Sequence, residues 1–226
     1  NLTESDISVD SPTNNFATLN PLAKSSALSL TEGNLKTDWQ SGGEGGSAST
    51  FELFEGGYVE VYIVGTTSQE YPQIGVTNLG NLGQSNTRFN HGGFVNADAA
   101  SPSIIGTAPG VTVNGSPSTT SYSTGDIVQI AYKNNKVYVG KNNTWMNSGN
   151  LSSESGNIFS VSTGTKIDVA FRIYSTHEVI VNFGQDSSFA GNKTAQGNQD
   201  GNDIGDFFYT PPTGFLALCT SNLPDV

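Results

Sequence analysis

The sequence predicts an all-β protein, an antiparallel sandwich of two sheets. Three observations carry that prediction. Apolar and polar residues alternate with a period of two in several short runs, the signature of half-buried strands. Only 13% of residues are charged, while Gly (27 residues), Asn, Ser and Thr abound, the composition of many short strands joined by turns. No run keeps a helical period for longer than a turn or two. With 226 residues and 10% aromatics, the chain has enough apolar material for one substantial core and is not disordered in composition.

Each element follows from its own residues. Residues 1–15 (NLTESDISVDSPTNN) are polar and turn-rich and read as a lead-in, with Phe16, Leu19 and Leu22 pinning its end to a single domain over 16–226. Leu28–Lys36 reads as strand, turn, strand around Glu32-Gly33, and Trp39–Ser49, with its Gly pairs, as a flexible loop. That loop lacks the Lys-Ser/Thr and following helix of a phosphate cradle. Tyr58–Val64 alternates Tyr58/Glu60/Tyr62 with Val59/Val61/Ile63, which places the aliphatic set on the core and Glu60 on the opposite face. Gln73–Val76 is a short partner. Weak strands near Phe94-Val95 and Val111–Val113 interrupt a Gly-, Asn- and Pro-rich stretch from Thr77 to Ser121 whose strand order stays open. Asp126–Val139 is the clearest hairpin, because Asn134-Asn135 tolerates the positive φ of a two-residue turn. Lys141–Asn157 is a polar excursion holding Trp145. Lys166–Tyr174 and Glu178–Phe183 pair as a second hairpin through Ser175-Thr176-His177. A polar loop to Asp206 and an apolar closing segment, Phe207–Asp225, complete about ten to twelve strands.

Charge excludes some partners. Nine basic against twenty acidic residues give a net charge of −11, which repels phosphate backbones and anionic membranes. No apolar run approaches the length needed to cross a bilayer. The lone Cys219 precludes an internal disulfide and reads as a buried thiol. The chain starts at Asn1 without a signal-like segment, as a processed or internal piece of a longer polypeptide does.

Several segments resemble, in order, the SPRY-like domains of structural proteins from tailed bacteriophages, particularly marine ones. Asp10–Leu22 is similar to the segment leading into that domain, Leu30–Lys36 to its first strand pair and Gly57–Ile63 to its Gly-aromatic-x-Glu-Val strand. Gly125–Lys141 resembles its Gly-Asp hairpin, and Asn182–Pro224, the most specific stretch, its close. The resemblance implies a bent, SPRY-like sandwich of concanavalin-like jelly-roll architecture. It also implies a virion component at the particle surface: a tail or head fibre, an appendage or a capsid decoration. No cofactor, nucleic acid or membrane insertion comes with it. Partners would be other virion subunits or a host surface protein or glycan, with virion symmetry favouring a homo-oligomer.

The residues themselves offer little chemistry. There are two histidines, His91 and His177, read as surface residues, and no Gly-x-Ser-x-Gly elbow, so a serine hydrolase is not indicated. Zinc-ligand spacing is missing. Glu52 with Glu55, or the Asp200, Asp203 and Asp206 cluster, would supply the carboxylates of a glycan-cleaving appendage enzyme, one alternative reading. Asn198–Asp206 is also the densest set of oxygen ligands, open either to calcium at Asp200, Asp203 and Asp206 or to a solvated polar loop. Trp145 beside Asn142 and Asn143 is the leading binding candidate: a ring with amides holds a sugar face or peptide, as a lectin-like domain would, unless the indole folds back to cap the sandwich. Arg88 and His91 form a second candidate patch. The Asn-x-Ser/Thr sequons at Asn1, Asn114, Asn142, Asn150 and Asn192 match the abundance of those residues and carry no inference.

Overall fold

The computed structural model describes residues 14–40, 44–65, 72–78, 92–95, 111–113 and 121–224. In chain order the strands are β1 (Leu19–Lys24), β2 (Leu28–Thr31), β3 (Lys36–Trp39), β4 (Gly45–Glu52), β5 (Gly57–Ile63), β6 (Gln73–Thr77), β7 (Gly92–Val95) and β8 (Val111–Val113). They continue with β9 (Ile127–Lys133), β10 (Lys136–Lys141), β11 (Thr144–Trp145), β12 (Phe159–Val161), β13 (Asp168–Ile173), β14 (Val179–Asn182) and β15 (Leu216–Ala217). The described residues thus hold more strands than the alternation suggested, because β1, β11 and β15 are too short or too irregular to show a period. Helical structure among them is confined to short 3-10 turns at Met146–Ser148 and Thr220–Asn222.

Two sheets pack face to face. One has the order β1-β4-β13-β6-β7; the other runs β2-β3-β14-β5-β9-β10-β12-β8, with β11 on β10 and β15 on β5. All pairings are antiparallel except that of β15 with β5. Between the sheets Val59, Val61 and Ile63 of β5 meet Ile74, Val76, Val169, Phe171 and Ile173 in one buried cluster. The period of two in β5 therefore assigns the core face correctly. The Asn134-Asn135 turn also forms as expected, with φ of 50° and 59°, and joins β9 to β10.

Several expectations need correcting. Strands β13 and β14 do not pair: β13 lies between β4 and β6, and β14 between β3 and β5 in the opposite sheet. Tyr174–Glu178 is an arch from sheet to sheet. Alternation gives the face a residue occupies, not the sheet its strand joins, and here both strands are buried along their length. His177 is accordingly not a surface residue; it is 5% exposed and its ring Nδ1 meets the Tyr174 carbonyl. Trp39–Ser49 is only partly loop, because β4 begins at Gly45 and Ala48 is buried. Phe16 and Leu19 are pinned, but Leu22 is 95% exposed on an irregular edge strand.

Sequence-distant ends of the described fold meet. Phe16 bridges Cys219, the Ala17 N–H donates to the Leu218 carbonyl at 2.8 Å, and the Thr220 N–H donates to the Asn15 carbonyl at 2.9 Å. Between β14 and this seam the chain makes a long excursion over the outer face of the larger sheet. It then returns as β15, on β5 just beyond the position where Asn182 pairs with Glu60.

Candidate functional site

Strand register lines up one row of residues on that outer face. Asn182 on β14 stands opposite Glu60 on β5, Glu60 opposite Gln129 on β9, Gln129 opposite Gly140 on β10, and Gly140 opposite Trp145 on β11. Directly opposed residues share a face. The Trp145 indole lies over the bare backbone of Gly140: a Cβ there would sit 3.0 Å from Trp145 Cε3 and 3.2 Å from Gln129 Oε1. Gly140 is the residue that admits the ring, and only its register with Trp145 discloses this.

Glu60 is the centre of the row. Its carboxylate is fully buried. Oε1 accepts the Tyr209 N–H at 2.8 Å and the Tyr58 hydroxyl at 3.1 Å; Oε2 accepts the Phe208 N–H at 2.8 Å and the Asn182 side-chain amide at 3.4 Å. Burial pushes this carboxyl up to about 7, against the opposing pull of the Tyr209 and Phe208 backbone donors. Tyr58 in turn accepts from Gln129 Nε2 at 3.2 Å, and burial raises its hydroxyl well above the usual tyrosine range. Alternation had placed Glu60 away from the aliphatic core; that its own face is buried as well follows from a segment almost 150 residues further on.

That segment is the apolar closing stretch its composition suggested, and the polar loop before it sends a further aromatic to the same face. Phe207 packs edge-on against Tyr58 with ring centres 5.2 Å apart, Phe189 stacks on Tyr62 at 5.5 Å, and both phenylalanines are fully buried. Lys193 places its ammonium over the Tyr62 ring at 5.3 Å. Asp200, buried at 6% exposure, organises the turn: Oδ1 accepts the N–H groups of Asn202 (2.8 Å) and Ile204 (3.1 Å), and Oδ2 accepts Ala217 N–H and Asn222 Nδ2, each at 2.9 Å. Asp206 accepts the Gly197 N–H at 3.1 Å, and Asp203 is exposed at a φ of 58°. Among the described residues no three His, Cys, Asp or Glu side chains are grouped to hold a metal ion. In this arrangement Asp200 holds the turn together.

The other candidates divide. Asn142 and Asn143 form a second tight turn, between β10 and β11, with φ of 47° and 64°. Asn142 accepts the Ile127 N–H at 2.9 Å and donates to Asp126 at 2.7 Å, and the Asn143 N–H donates to Gln129 Oε1 at 2.8 Å. Trp145 is half-buried against the cluster around Tyr58, Tyr138 and Phe207, so it caps the sheet while keeping an accessible edge. The structure thus brings Asn142, Asn143 and Trp145 together, whereas Arg88 and His91 lie outside the described residues. Glu52 pairs with Lys166 at 3.0 Å, and Glu55 accepts the Asn134 N–H at 2.7 Å, so each carboxylate has its own partner. Arg172 is buried on the outer face of the smaller sheet, bonded to Glu44 at 2.6 Å and Gln73 at 2.7 Å. Cys219 is buried, as expected, and burial raises its thiol. A shallow depression of about 200 Å³, lined by Asn14, Phe16, Gln199, Asp203, Ile204 and Gly205, opens beside the Asp200 turn.

Two packed sheets, one carrying a closing segment across its back, make a β-sandwich, and its fold is SPRY-like. The chain is similar to the crystal structure of the SPRY domain of human HERC1, with a TM-score of 0.53 at 15% identity over 72% of this chain and 96% of that one. It also matches the solution structure of the NEUZ (NHR) domain of Neuralized from Drosophila melanogaster (TM-score 0.48, 11% identity, 76% and 94% covered) and the PSpry domain of TRIM65 (0.48, 11%, 74% and 89%). No family model matches the sequence, and no curated protein does. At such identity the likeness to HERC1 shows the fold alone. Nothing in these comparisons points to a bacteriophage.

Proposed function

We propose that the chain is a non-enzymatic recognition module on the surface of a tailed-bacteriophage particle, a fibre, appendage or capsid-decoration domain contacting neighbouring subunits or a host surface. One observation carries the non-enzymatic part: the charged groups buried in the described residues, Glu60, Asp168, Arg172 and Asp200, sit on strands or in packed turns, and Glu60, Arg172 and Asp200 are bonded to backbone or side-chain partners that hold the fold. Recognition then falls to connectors, as is usual where a rigid sandwich presents loops. The phage placement is supported by the sequence resemblance, above all over Asn182–Pro224. Within the module Trp145 and the exposed Asn143 are the proposed contact pair.

The test combines immunogold labelling of intact particles, using antibody raised to the purified chain, with incubation of the chain on host polysaccharide. Surface label without released saccharide is the expected result. Unlabelled particles would overturn the placement, and soluble products would replace the binding reading by a glycan-cleaving one.

A further inference from the structure

We propose that the depression beside the Asp200 turn is a binding site for one neutral hexose unit of a glycan. It is separate from the Trp145 pair and does not rest on it. Six residues line its volume of about 200 Å³: Asn14 and Phe16 from the start of the described fold, and Gln199, Asp203, Ile204 and Gly205 from the turn. That room is below the roughly 300–1,000 Å³ of a drug-sized pocket and suits a single ring-sized group.

The walls are in place before any ligand arrives. Buried Asp200 accepts the N–H groups of Asn202 and Ile204 at 2.8 and 3.1 Å, and its carbonyl accepts the Asp203 N–H at 3.1 Å. The backbone around Asp203 is thus pinned on both sides, yet its carboxylate takes no partner among the described residues. Gln199 Nε2 donates to the Asp203 carbonyl at 2.9 Å and leaves its own Oε1 open, and the Gly205 N–H is open as well. On the seam side Asn14 accepts the Ser221 N–H at 3.3 Å, and Phe16 bridges Cys219. Groups already fixed lose little freedom when a ligand joins them.

The chemistry of these groups selects the ligand. A carboxylate and an amide oxygen accept, the Gly205 N–H donates, and Phe16 and Ile204 bring apolar surface from the cluster around Phe207. A hexopyranose matches this set: its rim hydroxyls both donate and accept, and its faces carry C–H groups. An aliphatic ammonium matches less well, because it would shed water against two apolar residues for one exposed carboxylate, a pairing worth little. A uronic or sialic acid is repelled by Asp203 and by the net charge of −11. One hexose held this way has a Kd on the order of 1 mM, too weak for a glycan array, so this site and the Trp145 pair are read by different assays.

The test is a titration of the intact chain with the methyl glycosides of glucose, galactose and mannose to about 50 mM, followed through amide chemical shifts. At least one glycoside is expected to move the amides of Asp203, Ile204 and Gly205 saturably, glucuronic acid and butylammonium to leave them in place, and Asp203→Gly to weaken binding about tenfold or more. Glycine accepts the φ of 58° at that position, so the variant is expected to melt with the parent. Should it melt early, Asp203→Asn, also at ease at that φ, replaces it with an expected loss of about fivefold. The site is overturned if no neutral glycoside moves those amides, if butylammonium or glucuronic acid moves them as strongly, or if the variant binds as the parent does. Shifts confined to residues 143–146 would overturn it too, while leaving the Trp145 reading standing.

Discussion

Replacing Asp200 by Ala removes the acceptor of four donors at once. Two of them, Asn202 N–H and Ile204 N–H, lie near the surface, and water can reach them. The other two cannot be rescued so easily. Ala217 is fully buried on β15, and Asn222 is 8% exposed, its side-chain NH2 retaining only the 3.1 Å bond to the Ala217 carbonyl. A buried donor left without a partner costs about 1–3 kcal/mol, and the two surface bonds add about 0.5 kcal/mol each. The expected loss is therefore at least about 3 kcal/mol, which for a domain of this size lowers Tm by roughly 6 °C or more. Asp200→Asn keeps one oxygen but turns an NH2 toward facing donors, so it should destabilise by about 2 kcal/mol. Thermal and urea melts of the three proteins measure this. A variant melting within about 2 °C of the parent would refute the hydrogen-bond account. The same melts with chelator separate it from calcium binding: a metal at Asp200 would make the parent chelator-sensitive, whereas the hydrogen-bonded turn should not respond.

Gly140→Ala would force the Trp145 ring outward by a few tenths of an ångström, costing about 1 kcal/mol; a red-shifted Trp145 emission in a Trp39→Phe background reads it, and an unshifted spectrum counts against the packing. Asn135→Ala places an ordinary side chain at a φ of 59° and should cost about 1 kcal/mol in a urea melt, while Asn135→Gly should be neutral or mildly stabilising. Trp145→Ala is expected to abolish host-surface or glycan-array binding and also to lower Tm by a few degrees, since the ring caps the cluster around Tyr58. Unchanged binding would remove Trp145 from the contact surface.

Local chemistry was legible in the sequence, and long-range placement was not. The inward set of β5 and the Asn134-Asn135 turn rest on neighbours in the chain, so alternation and turn propensity suffice to find them. The pairing of β13 with β4 and β6 rests on a competition between sheets, to which a five-residue arch gives no local clue. Glu60 was placed on the correct face, yet its burial depends on Phe207–Tyr209, which no periodicity connects to β5. The available signal was aromatic: Phe189 stands in an otherwise polar loop and Phe207 and Phe208 open the apolar closing segment, and rings of that size are seldom left to solvent. Trp145 kept both of its readings, binding edge and sheet cap, because its support is a glycine five residues earlier.

The seam at Phe16 and Cys219 has an architectural consequence. Asn15 and Thr220 are joined by main-chain and side-chain bonds at 2.9 Å, so the first and last described segments of this sandwich stand at the same point. A seam of this kind closes the fold like a clasp: strands far apart in sequence are tied by bonds that neither end makes alone. A pull that separates Asn15 from Thr220 would open that clasp before it strains the interior.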